Sequence, residues 1–196
     1  MANDALSLFS YEILGLVGRG GAGPHDLRGM VRRGRILDWA GESQYYSEPK
    51  RLARLGYLEA TKEPGRTRER TVYRLTEKGL DALCAYAATP ARLTPLKSEP
   101  LVRLLIADLV GERLTREGLA PLREDVDDLR ARLEDVEASA ETLPHRRTYL
   151  LLVTSFLRRL LELHLELVDE VERELGEGDG PTFAELAGQM EAKDLR

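Results

Sequence analysis

Polar and basic side chains crowd into residues 43–55, and their types can read the edges of nucleic-acid bases. Gln44 can form paired hydrogen bonds with adenine, while Lys50 or Arg51 can bind guanine or a backbone phosphate. Ser43 is a suitable N-cap for a helix that would carry these groups. The side chains of this run that we predict to face DNA are Ser43, Gln44, Ser47, Lys50, Arg51 and Arg54.

A short basic turn follows in residues 64–70 and begins with a Pro-Gly pair. Arg66, Arg68 and Arg70 most readily make phosphate contacts that do not depend on base sequence, and Arg66 is the best placed to enter a minor groove. Each of these side chains could by itself belong to an ordinary solvated surface. Their combination with the polar run before them therefore carries the prediction of DNA contact.

The elements that must position these groups follow from hydrophobic spacing. Tyr45, Leu52 and Leu55 fall near one face of a helix over the polar run, which leaves the polar set on the other faces. Residues 57–61 and 71–75 alternate as half-buried strands do, with a turn between them. A polar-faced helix followed by an arginine-tipped hairpin is the layout of a winged helix-turn-helix, whose helix can enter the major groove.

Three further helices complete the predicted N-terminal domain. Helical spacing indicates one over residues 6–17 and a second from Pro24 to near Gly34, where proline suits the first turn. A third begins at Thr76 and ends near residue 88. The side chains of these helices that we expect to be buried are Leu6, Phe9, Ile13, Leu14, Leu16, Val17, Leu27, Met30, Val31, Leu80, Leu83 and Cys84.

Residues 18–23 contain the sequence G-x-G-x-x-G, which supports a different hypothesis. Gly18, Gly20 and Gly23 match the loop that cradles a dinucleotide, with a strand before them and Asp38 as the acid that binds ribose. Such a fold needs several more parallel strands, whereas the remaining strand candidates are close enough to form an antiparallel hairpin. A flexible turn between two helices is the simpler interpretation.

The second half of the chain has helical patterns throughout. Leucines at 101, 104, 105 and 109 indicate a short helix, and a strict a/d heptad follows over about three repeats, which is typical of a coiled-coil seam. A long helix with a broad apolar stripe follows over residues 146–175. We expect a homodimer, because helices of this length cannot bury both faces in a monomer with so small a first domain. The residues that we assign to dimerisation are Leu122, Val126, Leu129, Leu133, Val136, Leu150, Leu157 and Leu160.

The charge of the chain is divided between its halves. Its net charge of −5 is the balance of +3 in residues 1–88 and −8 in residues 89–196, so only the first half suits an anionic partner.

Three prolines mark residues 89–100 as a linker. The predicted fold is mainly α: a winged helix-turn-helix with three to four helices and a β-hairpin wing over residues 1–88, then a coiled-coil-like helical dimerisation domain over 101–175. A linker and a short helix occupy residues 176–196.

Catalytic and metal-binding patterns are missing from the sequence. His25, His145 and His164 share no ligand spacing with one another or with Cys84, the single cysteine. We therefore predict a protein that is not an enzyme and uses no cofactor or metal. The lone cysteine and the lack of a signal-peptide or membrane-spanning pattern predict a cytoplasmic protein without membrane contact. A coiled-coil adaptor that binds protein instead of DNA is the main alternative.

Several short runs of the chain match one known family. They are Tyr46, Lys50-Arg51-Leu52, Leu55-Gly56-Tyr57-Leu58, Pro64-Gly65-Arg66 and, above all, Tyr73-Arg74-Leu75-Thr76-Glu77-Lys78-Gly79. On these runs the sequence resembles the PadR family of winged-helix transcriptional regulators, and its long helical tail is similar to the branch that includes virulence-gene activators. Two runs depart from the family pattern: Gly23-Pro24-His25-Asp26-Leu27, and Pro49 within the recognition helix.

The resemblance implies a homodimer that binds a roughly palindromic operator, usually as a repressor. It also implies that Tyr46 faces DNA and that a phenolic or other small aromatic molecule can act as effector. We expect an effector pocket near Trp39, where the linker would meet the helical domain. Such an effector would act by shifting the population of dimers toward a different spacing of the two DNA-reading domains.

Overall fold

The chain is divided into two compact units, which cover residues 1–93 and residues 94–196. The computed structural model describes residues 5–34, 40–64 and 69–176. Trp39, Arg66 and Arg68, all named in the predictions above, lie outside the described residues, as does the predicted short helix after residue 176. The division between the units falls within the residues that we predict as a linker.

Three helices form the core of the first unit: α1 (Leu8–Val17), α2 (Pro24–Gly34) and α3 (Gln44–Arg54). A capping box starts α1, because the Ser7 hydroxyl accepts the amide hydrogen of Ser10 and the Ser10 hydroxyl accepts that of Ser7. The bounds of α2 confirm the predicted second helix. The apolar faces of the three helices meet in one cluster, whose fully buried members are Ile13, Leu14, Leu27, Tyr45 and Leu52.

An antiparallel hairpin of two strands, β1 (Leu58–Glu63) and β2 (Arg70–Leu75), follows α3. The strands overlap both predicted runs and extend them toward the turn. Their register places Glu63 opposite Arg70 at the last pair before the turn. Leu58 of β1 and Val72 and Tyr73 of β2 are buried, so both strands of the hairpin pack on the helices.

Helix α4 (Glu77–Ala87) ends the first unit, and Thr76 is its N-cap, as predicted. The predicted burial of three side chains is wrong within one chain. Leu80 is 50% exposed, Met30 of α2 is 44% exposed, and Cys84 is exposed. Helical spacing identifies an apolar stripe, but it does not show how much of the stripe a neighbouring element covers.

The described part of the second unit contains α5 (Glu99–Leu105), α6 (Ala107–Val110), α7 (Glu112–Leu119), α8 (Leu122–Ala140) and α9 (Arg147–Glu174). The single helix predicted around residues 101–109 is two helices, because the backbone leaves the helical region at Ile106. Gly111 turns the chain into α7 with φ at 97°, which favours glycine. Within the described residues, no helix combines the length and the apolar character needed to span a membrane.

Helices α8 and α9 pack side by side and run in opposite directions. Val126, Leu133 and Ala140 of α8 are buried at intervals of seven residues, so the predicted heptad seam is used within one chain. Ion pairs across the hairpin align the two helices: Arg123 with Asp169 and Glu172, Arg130 with Glu162, and Arg158 with Glu137.

Candidate nucleic-acid interface

Helix α3 presents a polar face opposite its buried side. Tyr45, Pro49 and Leu52 are buried, and the ring of Tyr45 meets that of Phe9 edge to face with centroids 5.2 Å apart. This packing fixes the rotation of α3 about its axis. The predicted DNA-facing side chains that it leaves exposed are Ser43, Gln44, Tyr46, Ser47, Lys50 and Arg54.

One shallow depression beside α3 is bordered by most of this exposed set. The structure places Ser43, Tyr46, Ser47, Lys50 and Arg54 around it, together with Glu48 and Arg51. The exposed members have the hydroxyl, ammonium and guanidinium groups that bind base edges and phosphates. The polar side chains of α3 are therefore presented together on one side of the domain.

The first turn of α3 is held differently from the prediction. The helix begins at Gln44 and continues through Pro49, although a proline inside a helix removes a hydrogen bond and costs about 3 kcal/mol. Ser43 occupies the N-cap position, as predicted, but its hydroxyl makes no capping hydrogen bond. Gln44 Oε1 accepts the amide hydrogen of Gly41 at 2.9 Å instead. This bond uses one of the two lone pairs of Gln44 Oε1, so it does not by itself prevent paired hydrogen bonds to adenine.

Arg51 is bound within the domain, unlike Lys50 and Arg54. Its Nε and Nη2 donate to the two carboxylate oxygens of Glu48 at 2.9 and 2.7 Å. Nη2 also donates to Ser10 Oγ at 3.1 Å, and Ser10 Oγ donates to Glu48 at 2.7 Å. The hydrogen bond from Arg51 lowers the pKa of Glu48, against the opposing effect of burial.

The sequence contains a partial signal for this cluster. Glu48 and Arg51 are three positions apart on a helix, a spacing at which opposite charges meet. Ser10 comes from α1, and no local pattern predicts that it contacts both. The sequence analysis therefore does not predict that Glu48 and Ser10 together hold Arg51.

The described wing arginine, Arg70, lies at the start of β2 and is paired with two acids. Its Nη1 is 3.2 Å from Asp26 Oδ2 of α2, and its Nη2 is 3.9 Å from Glu63 Oε2 across the hairpin. Asp26 Oδ2 also accepts the amide hydrogen of Gly23 at 3.0 Å. Arg70 is 52% exposed at its side chain, so it fixes the wing against α2 and still reaches the surface.

The run from Tyr73 to Gly79 holds α3 and the wing in place. The single hydrogen of the Thr76 hydroxyl is shared between the carbonyls of Gly56, at 2.8 Å, and Tyr57, at 3.0 Å. Lys78 Nζ donates to the Leu55 carbonyl at 2.7 Å, just past the C-terminus of α3, and lies 4.5 Å from the centre of the Tyr57 ring. Cationic donors favour the C-terminal ends of helices. This run thus joins α4 to the C-terminal end of α3.

The glycine-rich segment joins two helices, which contradicts the dinucleotide hypothesis. That hypothesis needs a strand before Gly18, and α1 occupies the position. Ala22 forms an antiparallel bridge with Tyr73 of β2. Gly21 has φ at 78°, and a Cβ there would lie 3.0 Å from the Tyr73 carbonyl. The glycines let the connection pass close to the wing.

The described residues contain no group of three or more His, Cys, Asp or Glu side chains that could hold a metal ion. His164 Nδ1 lies 2.6 Å from the Leu160 carbonyl, one helical turn earlier, which is the environment of a structural histidine.

A cavity of about 230 Å³ lies between α5 and α9, smaller than the roughly 300–1,000 Å³ of most ligand sites. The predicted pocket at Trp39 lies outside the described residues, so the effector stays a prediction.

The residues assigned to dimerisation lie mostly inside the α8–α9 hairpin. Val126, Leu133 and Leu157 are buried, and Leu122, Leu129, Val136, Leu150 and Leu160 are half-buried. A different apolar set on α9 is exposed: Tyr149, Leu152, Val153, Phe156 and Leu163. A second exposed set on α5 and α6 consists of Leu101, Val102, Leu105, Ile106, Leu109 and Val110.

A winged helix-turn-helix followed by a helical unit is the class of fold that these elements define, and it confirms the predicted fold class. The same fold occurs in PadR-like transcriptional regulators of known structure. No family model matches the sequence, and no curated protein matches it either.

Three solved structures illustrate this likeness. The Vibrio cholerae virulence activator AphA has a TM-score of 0.63 and 22% identity, covering 84% of this chain and 96% of that one. A PadR-like regulator from Bacillus cereus has a TM-score of 0.60 and 15% identity, covering 86% of this chain and 99% of that one. Bacillus subtilis PadR in complex with operator DNA has a TM-score of 0.56 and 21% identity, covering 84% and 99%. At these identities the likeness establishes the shared fold.

Proposed function

We propose that the protein is a DNA-binding transcriptional regulator of the PadR family. The observation that carries this proposal is the polar face of α3, where Lys50 and Arg54 are exposed while the opposite side packs into the core. A helix exposed in this way can enter a major groove, where its side chains reach base edges. The fold supports the proposal, since one neighbour is a PadR in complex with operator DNA.

The proposed contacts divide between base edges and backbone. Gln44, Ser47 and Lys50 project from the first two turns of α3 and would read bases, with Tyr46 and Ser43 beside them. Arg54, at the C-terminal end of the helix, and Arg70, at the root of the wing, would contact phosphates. The wing arginines Arg66 and Arg68 remain predicted phosphate contacts.

We infer that the protein works as a homodimer through its second unit. The exposed apolar side chains of α9, spaced at 149, 152, 153, 156 and 163, form one helical stripe. Contiguous apolar surface of this kind marks an interaction site in a soluble protein. A two-fold dimer would present two copies of α3, and the operator would then consist of two related half-sites.

Repression is the proposed mode of action, and it rests on the sequence resemblance. A bound dimer over a promoter blocks transcription, and a small aromatic effector would release it by favouring a dimer whose α3 helices no longer match both half-sites. A reporter gene under the protein's own upstream region would show higher expression when the protein is deleted. Lower expression on deletion would instead make the protein an activator.

Fluorescence anisotropy tests the proposed DNA binding. The probe is a duplex from just upstream of the protein's own gene, compared with a scrambled duplex during a salt titration. Loss of both exposed cations, Lys50→Ala/Arg54→Ala, should weaken binding to both duplexes. The slope of log affinity against log salt should fall by about 1, because Arg54 provides one phosphate contact, and the preference for the upstream duplex should fall because Lys50 reads bases.

The matched control removes two cations elsewhere. Arg92→Ala/Lys97→Ala changes two exposed residues of the linker, and it should bind as the wild type does. Equal losses of DNA affinity in the two double variants would mean that net charge, and not the face of α3, governs binding. Wild-type protein that binds neither duplex at low salt would contradict the proposed function and favour the protein-binding adaptor.

A further inference from the structure

Among the described cations on the surface of α3, only Arg51 forms a two-point ion pair with an acid of the same helix. Both nitrogens along one edge of its guanidinium donate to Glu48. Its side chain is 25% exposed and that of Glu48 is 14% exposed. The pair therefore lies at the border between the exposed face of α3 and the core.

The ion pair is anchored to the first helix of the domain. Ser10 is fully buried, and its hydroxyl donates to Glu48 while accepting a hydrogen bond from Arg51. Ser10 is itself fixed by the capping box with Ser7 at the start of α1. The Glu48 carboxylate is thus oriented from two elements, which favours a constant position for Arg51.

This arrangement engages both two-point donor edges of Arg51, because the two edges share Nη2, which donates to Glu48 and to Ser10. Arginine binds guanine or phosphate most strongly through two parallel N–H groups. In Arg51 the Nε and Nη2 atoms form such an edge, and both are bonded to Glu48. The adjacent carboxylate also repels a phosphate that approaches the remaining N–H groups.

We propose that Glu48 is a specificity-determining residue that holds Arg51 against α1 and so withholds one sequence-blind phosphate contact; this inference rests on the DNA binding proposed above. Nonspecific affinity comes from cations that displace counterions from phosphates. Holding one arginine back lowers that affinity and leaves the base contacts of Gln44, Ser47 and Lys50 in place. The ratio of specific to nonspecific affinity, which decides occupancy in a genome, is thereby higher.

Binding of Glu48→Gln to a scrambled duplex tests the proposal, because glutamine keeps the size of the side chain and removes the charge that holds Arg51. Nonspecific binding should tighten. The ratio of the variant's affinity for the scrambled duplex to that of the wild type should fall about threefold between 50 and 200 mM salt, as expected for one added phosphate contact. The preference for the upstream duplex over the scrambled one should fall.

Two comparisons separate release of Arg51 from simple loss of a negative charge. In an Arg51→Gln background, Glu48→Gln should no longer tighten nonspecific binding. Glu42→Gln removes an exposed acid just before α3, and it should tighten binding less than Glu48→Gln does. Glu48→Asp keeps the charge but is too short to hold Arg51 at both nitrogens, so it should also tighten nonspecific binding. Circular dichroism of each variant checks that it is folded, and Glu48→Asp carries the test where Glu48→Gln does not fold.

The outcomes distinguish this inference from the proposed function. Wild-type binding with specificity, together with unchanged nonspecific affinity in both Glu48 variants, overturns the role of Glu48 alone. An equal gain from Glu48→Gln with and without Arg51 also overturns it. Wild-type protein that binds no DNA overturns both proposals. A gain that depends on Arg51 establishes the inference.

Discussion

Gly79 shows how one residue joins α4 to the start of the wing. It is buried in the first turn of α4, and a Cβ at this position would lie 2.2 Å from the Tyr57 carbonyl oxygen and 2.8 Å from Leu75 Cδ1. The same carbonyl accepts the Thr76 hydroxyl. Backbone atoms cannot move away as a flexible side chain can, so the close approach of α4 to the residue just before β1 depends on glycine here.

Gly79→Ala should destabilise the first unit by roughly 1–3 kcal/mol, as overpacking of a tight site does. Urea unfolding followed by circular dichroism measures the change. Gly29→Ala is the control, because Gly29 lies in α2 with open space around its Cβ position. That substitution should be neutral or stabilise the fold by up to about 1 kcal/mol through helix propensity. Equal effects of the two substitutions would contradict the steric argument.

The α8–α9 hairpin shows how charge aligns two helices. Its apolar seam alone permits slippage by a heptad, since Val126 and Leu133 occupy equivalent positions in the repeat. The ion pairs are specific to one alignment, because a slip of one heptad would bring Glu137 opposite Glu162 or Arg130 opposite Arg158. Arg158 pairs with Glu137 through both Nε and Nη2, at 3.0 and 2.9 Å. We therefore expect the pairs to set the register while the seam provides most of the stability.

The Arg158–Glu137 pair should make the hairpin sensitive to acid. The hydrogen bond from Arg158 lowers the pKa of Glu137 below its ordinary 4.5. A carboxyl with a lowered folded pKa stabilises the fold above its unfolded value, and this contribution is lost as pH falls through the folded pKa. Glu137→Gln should therefore reduce the free energy of unfolding near pH 6 by less than about 1 kcal/mol, since both side chains are about a third exposed.

Urea unfolding of Glu137→Gln and wild type between pH 6 and pH 3 measures this difference. It should vanish once the pH is below the lowered pKa of Glu137. Asp135→Asn is the matched control, since Asp135 is exposed on the same helix, and it should show a smaller difference near pH 6. A difference for Glu137→Gln that stays constant down to pH 3 would contradict the ionic explanation.

At the scale of the whole molecule, the two units have opposite charge and different exposed surfaces. The first half is net positive and carries the polar face of α3, while the second is net negative and exposes apolar side chains on α5, α6 and α9. An acidic unit is repelled by DNA, so its apolar surface suits a protein partner. We take that partner to be a second copy of the chain.

Phe156→Glu should convert the proposed dimer to a monomer without unfolding the chain. Phe156 is 66% exposed in one chain, so a charge there costs little until two copies meet, where burying it would be unfavourable. Analytical ultracentrifugation should show half the wild-type mass, and binding to a two-half-site duplex should weaken strongly. Ser155→Glu, at an exposed neighbouring position, should remain dimeric. A dimeric Phe156→Glu protein would place the interface elsewhere.

The local elements of this protein were predictable because their causes are local. Spacing of apolar residues predicted α1 to α4 and both strands, and Thr76 was recognised as the start of α4. The polar run of α3 is predicted to lie on the faces away from the core, and five of its six members are exposed. A helix or a hairpin depends mainly on neighbours within a few residues, and the sequence shows those directly.

Contacts between distant residues were decided only by the tertiary structure. Arg51 has the same charge as Lys50, yet it is held by Glu48 and by Ser10, a residue of α1 that nothing in the spacing of α3 identifies. Arg70 pairs with Asp26 of α2, and the seam of Val126 and Leu133 is covered by the chain's own α9 rather than left for a partner. A sequence pattern shows which side chains need a partner. The packing of whole elements determines which partner each one meets.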